Sequence, residues 1–271
     1  MTIFEETPFC SETTALLVVD VQPEYWTNCP AVREDFPNFP QNLHRTIKVC
    51  RQRKVKVIWI RANYHHASSP WLDQFGRLKV KNKSSRPDTM IEVPYDPNST
   101  DFGWEDFATP EGDEVIIPKS SWSSTSNTNL IQKLKDDGIN SVLVCGLITS
   151  VCVQHSAFGI FEAGFRTLLV EDACADRGRA RHDAAIFLYG NYMYELTLSG
   201  TLEDGKQWTS STPSIEYDDD RFKKLEFRSS SFPKEEAHLQ KDSHRNVVDM
   251  MTTLRLKSQP PQRHKYQAMA E

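Results

Sequence analysis

Ser141-Val142-Leu143-Val144-Cys145-Gly146-Leu147-Ile148-Thr149-Ser150-Val151-Cys152-Val153 reads as a strand, a turn and the start of a helix. Its opening run, 141–145, is nearly continuous in apolar residues, which suits a strand covered on both faces. Runs of the same kind stand at 15–19, 55–60, 114–117, 167–170 and 194–198. Helix-length segments separate them at 41–53, 128–137, 150–163 and 179–192, and Gly138 and Gly164 fall where two of these should stop. Strands alternating with helices predict an α/β fold: a Rossmann-like, doubly wound, mainly parallel sheet of six strands flanked by helices.

Outward from this core the pattern changes twice. Residues 64–113 form a polar insertion punctuated by Trp71, Pro94 and Trp104, and a segment that long in a compact domain reads as a lid or binding loop. Residues 205–271 carry many charges of both signs around few apolar residues, so they read as a polar extension to one domain over 1–204. Within the extension, 247–256 has the make-up of a helix that docks on the body or on a partner.

Composition excludes several classes. With 32 basic and 37 acidic residues and a formal net charge of -5, well mixed along the chain, there is no electrostatic footprint for nucleic acid or an anionic membrane. A small, roughly neutral molecule is the expected partner. No apolar stretch approaches the ~20 residues of a membrane helix, and Glu5 and Glu6 stand where a signal peptide would be basic. The expectation is a cytoplasmic protein, with leaderless secretion left open. The six cysteines, at 10, 29, 50, 145, 152 and 174, show neither a disulfide framework nor the close spacing of a structural zinc site, and are read as reduced thiols.

Open parallel sheets bind ligands beyond the carboxyl ends of their strands. That rule singles out Asp20 after the first strand, Lys119 after the third, and the turn leading to Cys152 after the fourth. Asp20 alone reads as a turn residue and Lys119 alone as a lysine reaching out of the sheet. Cys152 is sharper. At a helix start it meets unpaired N–H groups and the positive end of the helix, which predicts a thiol pKa below the usual ~8.5. Cys145 and Cys174 read as buried, inert thiols.

Three phrases then resemble the isochorismatase-like cysteine hydrolases, a superfamily that includes nicotinamidases, N-carbamoylsarcosine amidase and the biuret, ureidoacrylate and isochorismate hydrolases. They are Asp20-x-Gln22-x-x-Tyr25; Lys119-x-x-Trp122-Ser123 with Thr128-x-Leu130; and Gly146-x-x-Thr149-x-x-Cys152-Val153 with Ser156-Ala157 and Gly164. Glu171-Asp172-Ala173 matches the next strand end, and the likeness runs from about 13 to 200. It implies a triad of Cys152 as nucleophile, Asp20 as base and Lys119 as the cation, with a thioester intermediate. It also implies an oxyanion hole from the N–H groups of Ile148 and Cys152, and a cis peptide at Leu147-Ile148. Members of this family often form dimers or tetramers, so a homo-oligomer is expected. Gln22, Tyr25, Trp26, Trp122 and Thr149 are the candidates for lining the substrate pocket.

The sequence departs from the family pattern at Thr125 and Asn127, where an aromatic residue and a glycine are usual. Members with a metal use an Asp-x-His pair after the second strand. Here the phrase is Asn63-Tyr64-His65-His66, and asparagine is a poor hard ligand, so no metal or other cofactor is expected and both histidines read as loop residues. A cysteine suits cleavage of a small amide or ureide; isochorismate cleavage, the alternative, breaks a vinyl ether and does not need a thiol. Other readings are a Cys-His hydrolase using His155, a catalytically silent scaffold, and a redox sensor pairing Cys152 with Cys145 or Cys174.

Overall fold

The structure is a computed structural model, and it describes residues 10–63, 103–126 and 128–204. Most of the insertion, with His65 and His66, and the whole of 205–271, with the expected helix at 247–256, lie outside the described residues.

Six strands form one sheet: β1 (Thr14–Val19), β2 (Lys56–Ala62), β3 (Val115–Lys119), β4 (Ser141–Leu147), β5 (Arg166–Ala175) and β6 (Glu195–Thr197). Their order is β3-β2-β1-β4-β5-β6 and every pairing is parallel, so the doubly wound expectation holds. Every residue of β1 and β4, the two central strands, is buried, which is why both read as unbroken apolar runs. The helices are α1 (Pro30–Asp35), α2 (Phe39–Gln52), α3 (Leu130–Asp136), α4 (Gln154–Glu162), α5 (Arg179–Tyr189) and α6 (Ser199–Glu203). Along α2 the buried Phe39, Leu43, Thr46, Ile47 and Cys50 make one stripe at helical spacing, and Pro40 sits in the first turn, where its missing N–H costs nothing. Gly138 and Gly164 end α3 and α4 with φ of 67° and 89°.

Three departures from the sequence reading have local causes. The strand expected over 167–170 continues to Ala175 although Glu171 and Asp172 are acidic. Asp172 finds partners in the Ser199 backbone N–H and hydroxyl, both at 2.7 Å, so its charge does not stop the strand. The helix expected over 150–163 is two elements, a π-helical turn over Thr149–Val153 and then α4. Helices α1 and α6, of 6 and 5 residues, are too short to show a period.

Gly146 draws the two central strands together. With φ of 119° it lies beside Val19, and a Cβ on it would stand 2.1 Å from the Val19 carbonyl oxygen, so only glycine fits. The chain leaves β1 toward β2 and leaves β4 toward β5, which opens the crevice of the switch point at this place.

Glu114, just before β3, ties the sheet edge to α2. Its carboxylate accepts two hydrogen bonds from Arg51, at 2.8 Å each, one from the Trp59 indole at 2.7 Å and one from the Glu111 N–H at 3.0 Å. Partial burial raises its pKa, but these donors outweigh burial and hold it below the ordinary 4.5. The native state therefore binds the proton less readily than the unfolded chain. This contribution is complete above about pH 4.5 and is lost as pH falls through the lower native value. Glu114→Gln should cost roughly 1–3 kcal/mol at pH 7, a gap that closes in acid, as urea melts at both pH values will show.

Candidate active site

Asp20 leaves β1 with its N–H on the Ile60 carbonyl at 3.0 Å and a φ of 50°, a left-handed conformation that aspartate tolerates better than most residues. Gln22 then spans to β2, accepting from the Ala62 N–H at 2.8 Å and donating to its carbonyl at 3.4 Å. Lys119 is the last residue of β3, in register with Ala62. Its Nζ lies 2.8 Å from Asp20 Oδ2, donates to the Ser121 carbonyl at 2.9 Å and points at Cys152 Sγ from 3.5 Å. Both members of the Asp20–Lys119 pair have fully buried side chains, and the Cys152 thiol and the Ala62 N–H also turn to the carboxylate. Three residues far apart in the chain thus meet at the ends of β1, β3 and β4.

Electrostatics here follow from burial. The Cys152 thiol is pushed up to about 12, first by desolvation and further by the Asp20 carboxylate, against the pull of Lys119. This reverses the expectation of a lowered pKa: the thiol sits inside the protein, where the loss of water outweighs the helix end. Burial also raises Asp20 above the usual carboxylate value of 3.8, against the opposing pull of Lys119. For Lys119 desolvation pulls down, but Asp20 and Cys152 win and the ammonium is favoured. The resting arrangement is a neutral thiol beside a buried ion pair.

The turn that carries Cys152 is held at several points. The Leu147-Ile148 peptide is cis. The N–H groups of Val151 and Val153 both turn to the Ile148 carbonyl, at 3.1 and 3.2 Å, and the Ser150 N–H donates to Asp176 Oδ2 at 2.6 Å. The Thr149 hydroxyl lies 2.9 Å from Nδ1 of the buried His182. Asp176 and His182 were not singled out from the sequence, although Asp176 follows the end of β5, where the strand-end rule would have nominated it.

The pocket candidates are placed variously. Gln22 uses both ends of its amide on Ala62, Trp26 packs on Phe39 and Phe107 with centroids 5.1 and 5.7 Å apart, and Tyr25 is buried. Thr149 faces His182. Trp122 is exposed and lies against the His155 ring, at 5.8 Å. His155 is itself exposed and gives its Nδ1 to the Val151 carbonyl at 2.7 Å, so that ring nitrogen is already engaged outside the cluster. All six cysteines are free, and Cys145, buried, faces the Leu17 carbonyl. Among the described residues no three His, Cys, Asp or Glu side chains cluster to hold a metal, and Tyr64 to His66 lie outside them. No helix among the described residues is long and apolar enough to cross a membrane.

Residues 14–199 match the isochorismatase domain. The chain belongs to the isochorismatase family. It is an isochorismatase-family hydrolase, similar to named enzymes over most of its domain. It is 26% identical over 173 residues to a ureidoacrylate amidohydrolase of Rhizobium rhizogenes, covering 59% of this chain and 69% of that one. It is 26% identical over 176 residues to nicotinamidase 3 of Arabidopsis thaliana, covering 65% and 80%. Among solved structures, a cysteine hydrolase from Pseudomonas syringae superposes with a TM-score of 0.61 at 20% identity, covering 75% of this chain and 99% of that one. N-carbamoylsarcosine amidase from Thermoplasma acidophilum gives 0.53 at 22%, covering 69% and 96%. At these identities the superpositions speak for the shared fold of the isochorismatase-family hydrolase and no further.

Proposed function

We propose that this hydrolase cleaves a C–N bond of a small amide or ureide through a thioester on Cys152. The observation that carries the reading is the meeting of one ammonium with a carboxylate at 2.8 Å and a thiol sulfur at 3.5 Å inside a water-poor crevice. Asp20, with a pKa raised by burial, is a base matched to a thiol that does not ionise by itself. As Sγ bonds to the carbonyl carbon, the thiol proton passes to Asp20 and Lys119 steadies the sulfur's negative charge. The carbonyl oxygen becomes an oxyanion facing the N–H groups of Ile148 and Cys152, whose neighbours Val151, Val153 and Ser150 are already engaged elsewhere. Collapse breaks the C–N bond, and the leaving nitrogen takes the proton from Asp20. Water then adds to the thioester, giving its proton to Asp20; the C–S bond breaks and the sulfur recovers that proton.

The named activities of the ureidoacrylate amidohydrolase and nicotinamidase relatives support the amide and ureide class for this chain. A panel of nicotinamide, biuret, ureidoacrylate and N-carbamoylsarcosine assayed for ammonia, with isochorismate assayed for pyruvate, tests it. Ammonia from one of the first four is expected. Pyruvate alone, released equally by Cys152→Ala, would replace the reading with vinyl ether hydrolysis.

The pH profile gives a separate check. The base must be ionised, so activity should be lost as pH falls through the Asp20 pKa, with the acid limb above the 3.8 of an ordinary aspartate. A rate that holds flat down to that value would remove Asp20 from the role.

A further inference from the structure

We propose that His182 is a positioning residue, one that sets the oxyanion hole by holding Thr149. The inference rests on the thiol reading above and adds to it a part that touches neither sulfur nor substrate.

His182 lies in the first turn of α5, and its ring is clamped from three elements. Nδ1 stands 2.9 Å from the Thr149 hydroxyl, Nε2 stands 4.0 Å from Glu171 Oε1 on β5, and the Phe36 ring, at the end of α1, lies edge-on at 5.1 Å. Only 1% of His182 is exposed and none of Thr149. A ring packed this way has one position, so the hydroxyl that meets it has one too. The carboxylate of Glu171 favours the proton on Nε2, which leaves Nδ1 to accept from the Thr149 O–H.

Thr149 is the residue immediately after Ile148, the first proposed oxyanion donor, and opens the π-helical turn that contains Cys152, the second. The Asp176 carboxylate fixes the next residue through the Ser150 N–H. Two consecutive residues between the donors are therefore pinned by side chains from one segment, 176–182. Asp176 secures the backbone. The Thr149–His182 bond fixes the first residue of the turn, and through the Ile148–Thr149 peptide it holds the backbone of Ile148, whose own N–H, on the Leu147–Ile148 peptide, is the donor. A buried hydroxyl–imidazole pair gains little net stability over an apolar pair of the same shape, so its worth lies in geometry. Oxyanion donors work only within a few tenths of an ångström of the developing charge, which makes that geometry kinetically visible.

The test separates attack on a carbonyl from attack on saturated carbon. The full-length chain is treated at one pH with p-nitrophenyl acetate, which acetylates Sγ and releases p-nitrophenolate through an oxyanion. In parallel it is treated with iodoacetamide, which alkylates Sγ and releases iodide without one. Modification at Cys152 is followed by peptide mass. His182→Leu and Thr149→Val, both close in volume to the native residues, should slow acetylation roughly 10–100-fold while alkylation stays within about 2-fold. His182→Asn, whose amide oxygen stands where Nδ1 stood, should recover most of the acetylation rate. The double variant should be no slower than either single one, since both remove the same bond. Equal loss of both reactions, no loss of acetylation, or an asparagine variant as slow as leucine would overturn the assignment. A parent chain that neither reagent modifies at Cys152 would overturn the thiol reading first, and this one with it.

Discussion

Cys152→Ala is expected to abolish hydrolysis of the amide or ureide substrate, lowering kcat by roughly 10⁴-fold or more, while leaving the fold in place. The size follows from the chemistry proposed. Without the sulfur no covalent intermediate forms, and what remains is water held near an oxyanion site by a buried Asp20–Lys119 pair. The substitution removes one small buried side chain, so its cost in stability stays near 1 kcal/mol. Serine should fare almost as badly as alanine, because a hydroxyl is a far weaker acid than the thiol, and Asp20 would have to accept its proton against a steeper gradient. Product release is measured over hours against a urea melt of the same preparation. A Cys152→Ala chain that keeps a tenth of the parent rate would sink the nucleophile.

Lys119→Met should damage both activity and stability. The ammonium is the counter-charge of a carboxylate with no exposed surface, 2.8 Å away. Removing it leaves a buried, uncompensated anion, which costs about 3–5 kcal/mol in comparable cases. The protein's own response is to push the already raised Asp20 pKa higher still, so the carboxyl takes up a proton and ceases to be a base. Activity falls with it. The double variant Asp20→Asn with Lys119→Met should recover much of the lost stability, because the charge is gone, and none of the activity. Denaturation midpoints of the parent, the two single variants and the double close this cycle. A Lys119→Met chain as stable as the parent at pH 7 would show that the carboxylate and ammonium do not share a dry site.

All six strands were legible because they announce themselves locally. β1 and β4 are apolar at every position, and a run like that has one destination in an α/β chain, the centre of a parallel sheet. Asp20, Lys119 and Cys152 were legible for a related reason: each stands beyond or at the end of such a run, where the fold leaves polar groups facing a crevice. The extension of β5 through Glu171 and Asp172 was not, since the donors that let Asp172 sit in a strand come from the distant Ser199, 27 residues on, and Glu171 meets His182 of α5. The π-helical turn escaped too, as its residues have the composition of an ordinary helix start and differ only in what their N–H groups meet.

Residue order alone thus carried the layer architecture and the choice of three side chains that meet at the strand ends, because apolar period and strand-end position are properties of short windows. Protonation was decided elsewhere. Whether Cys152 rests as thiolate or thiol depends on how much water the whole sheet excludes and which charges it imports, and burial raised the value that the helix end was expected to lower. The same holds for Gln22 and Trp26, drawn into the scaffold by Ala62, Phe39 and Phe107, and for His182, which acquires meaning only when α5 packs it against Thr149. Solvation and long-range contact are sums over neighbours distant in the chain, and those sums exist only once the chain has folded.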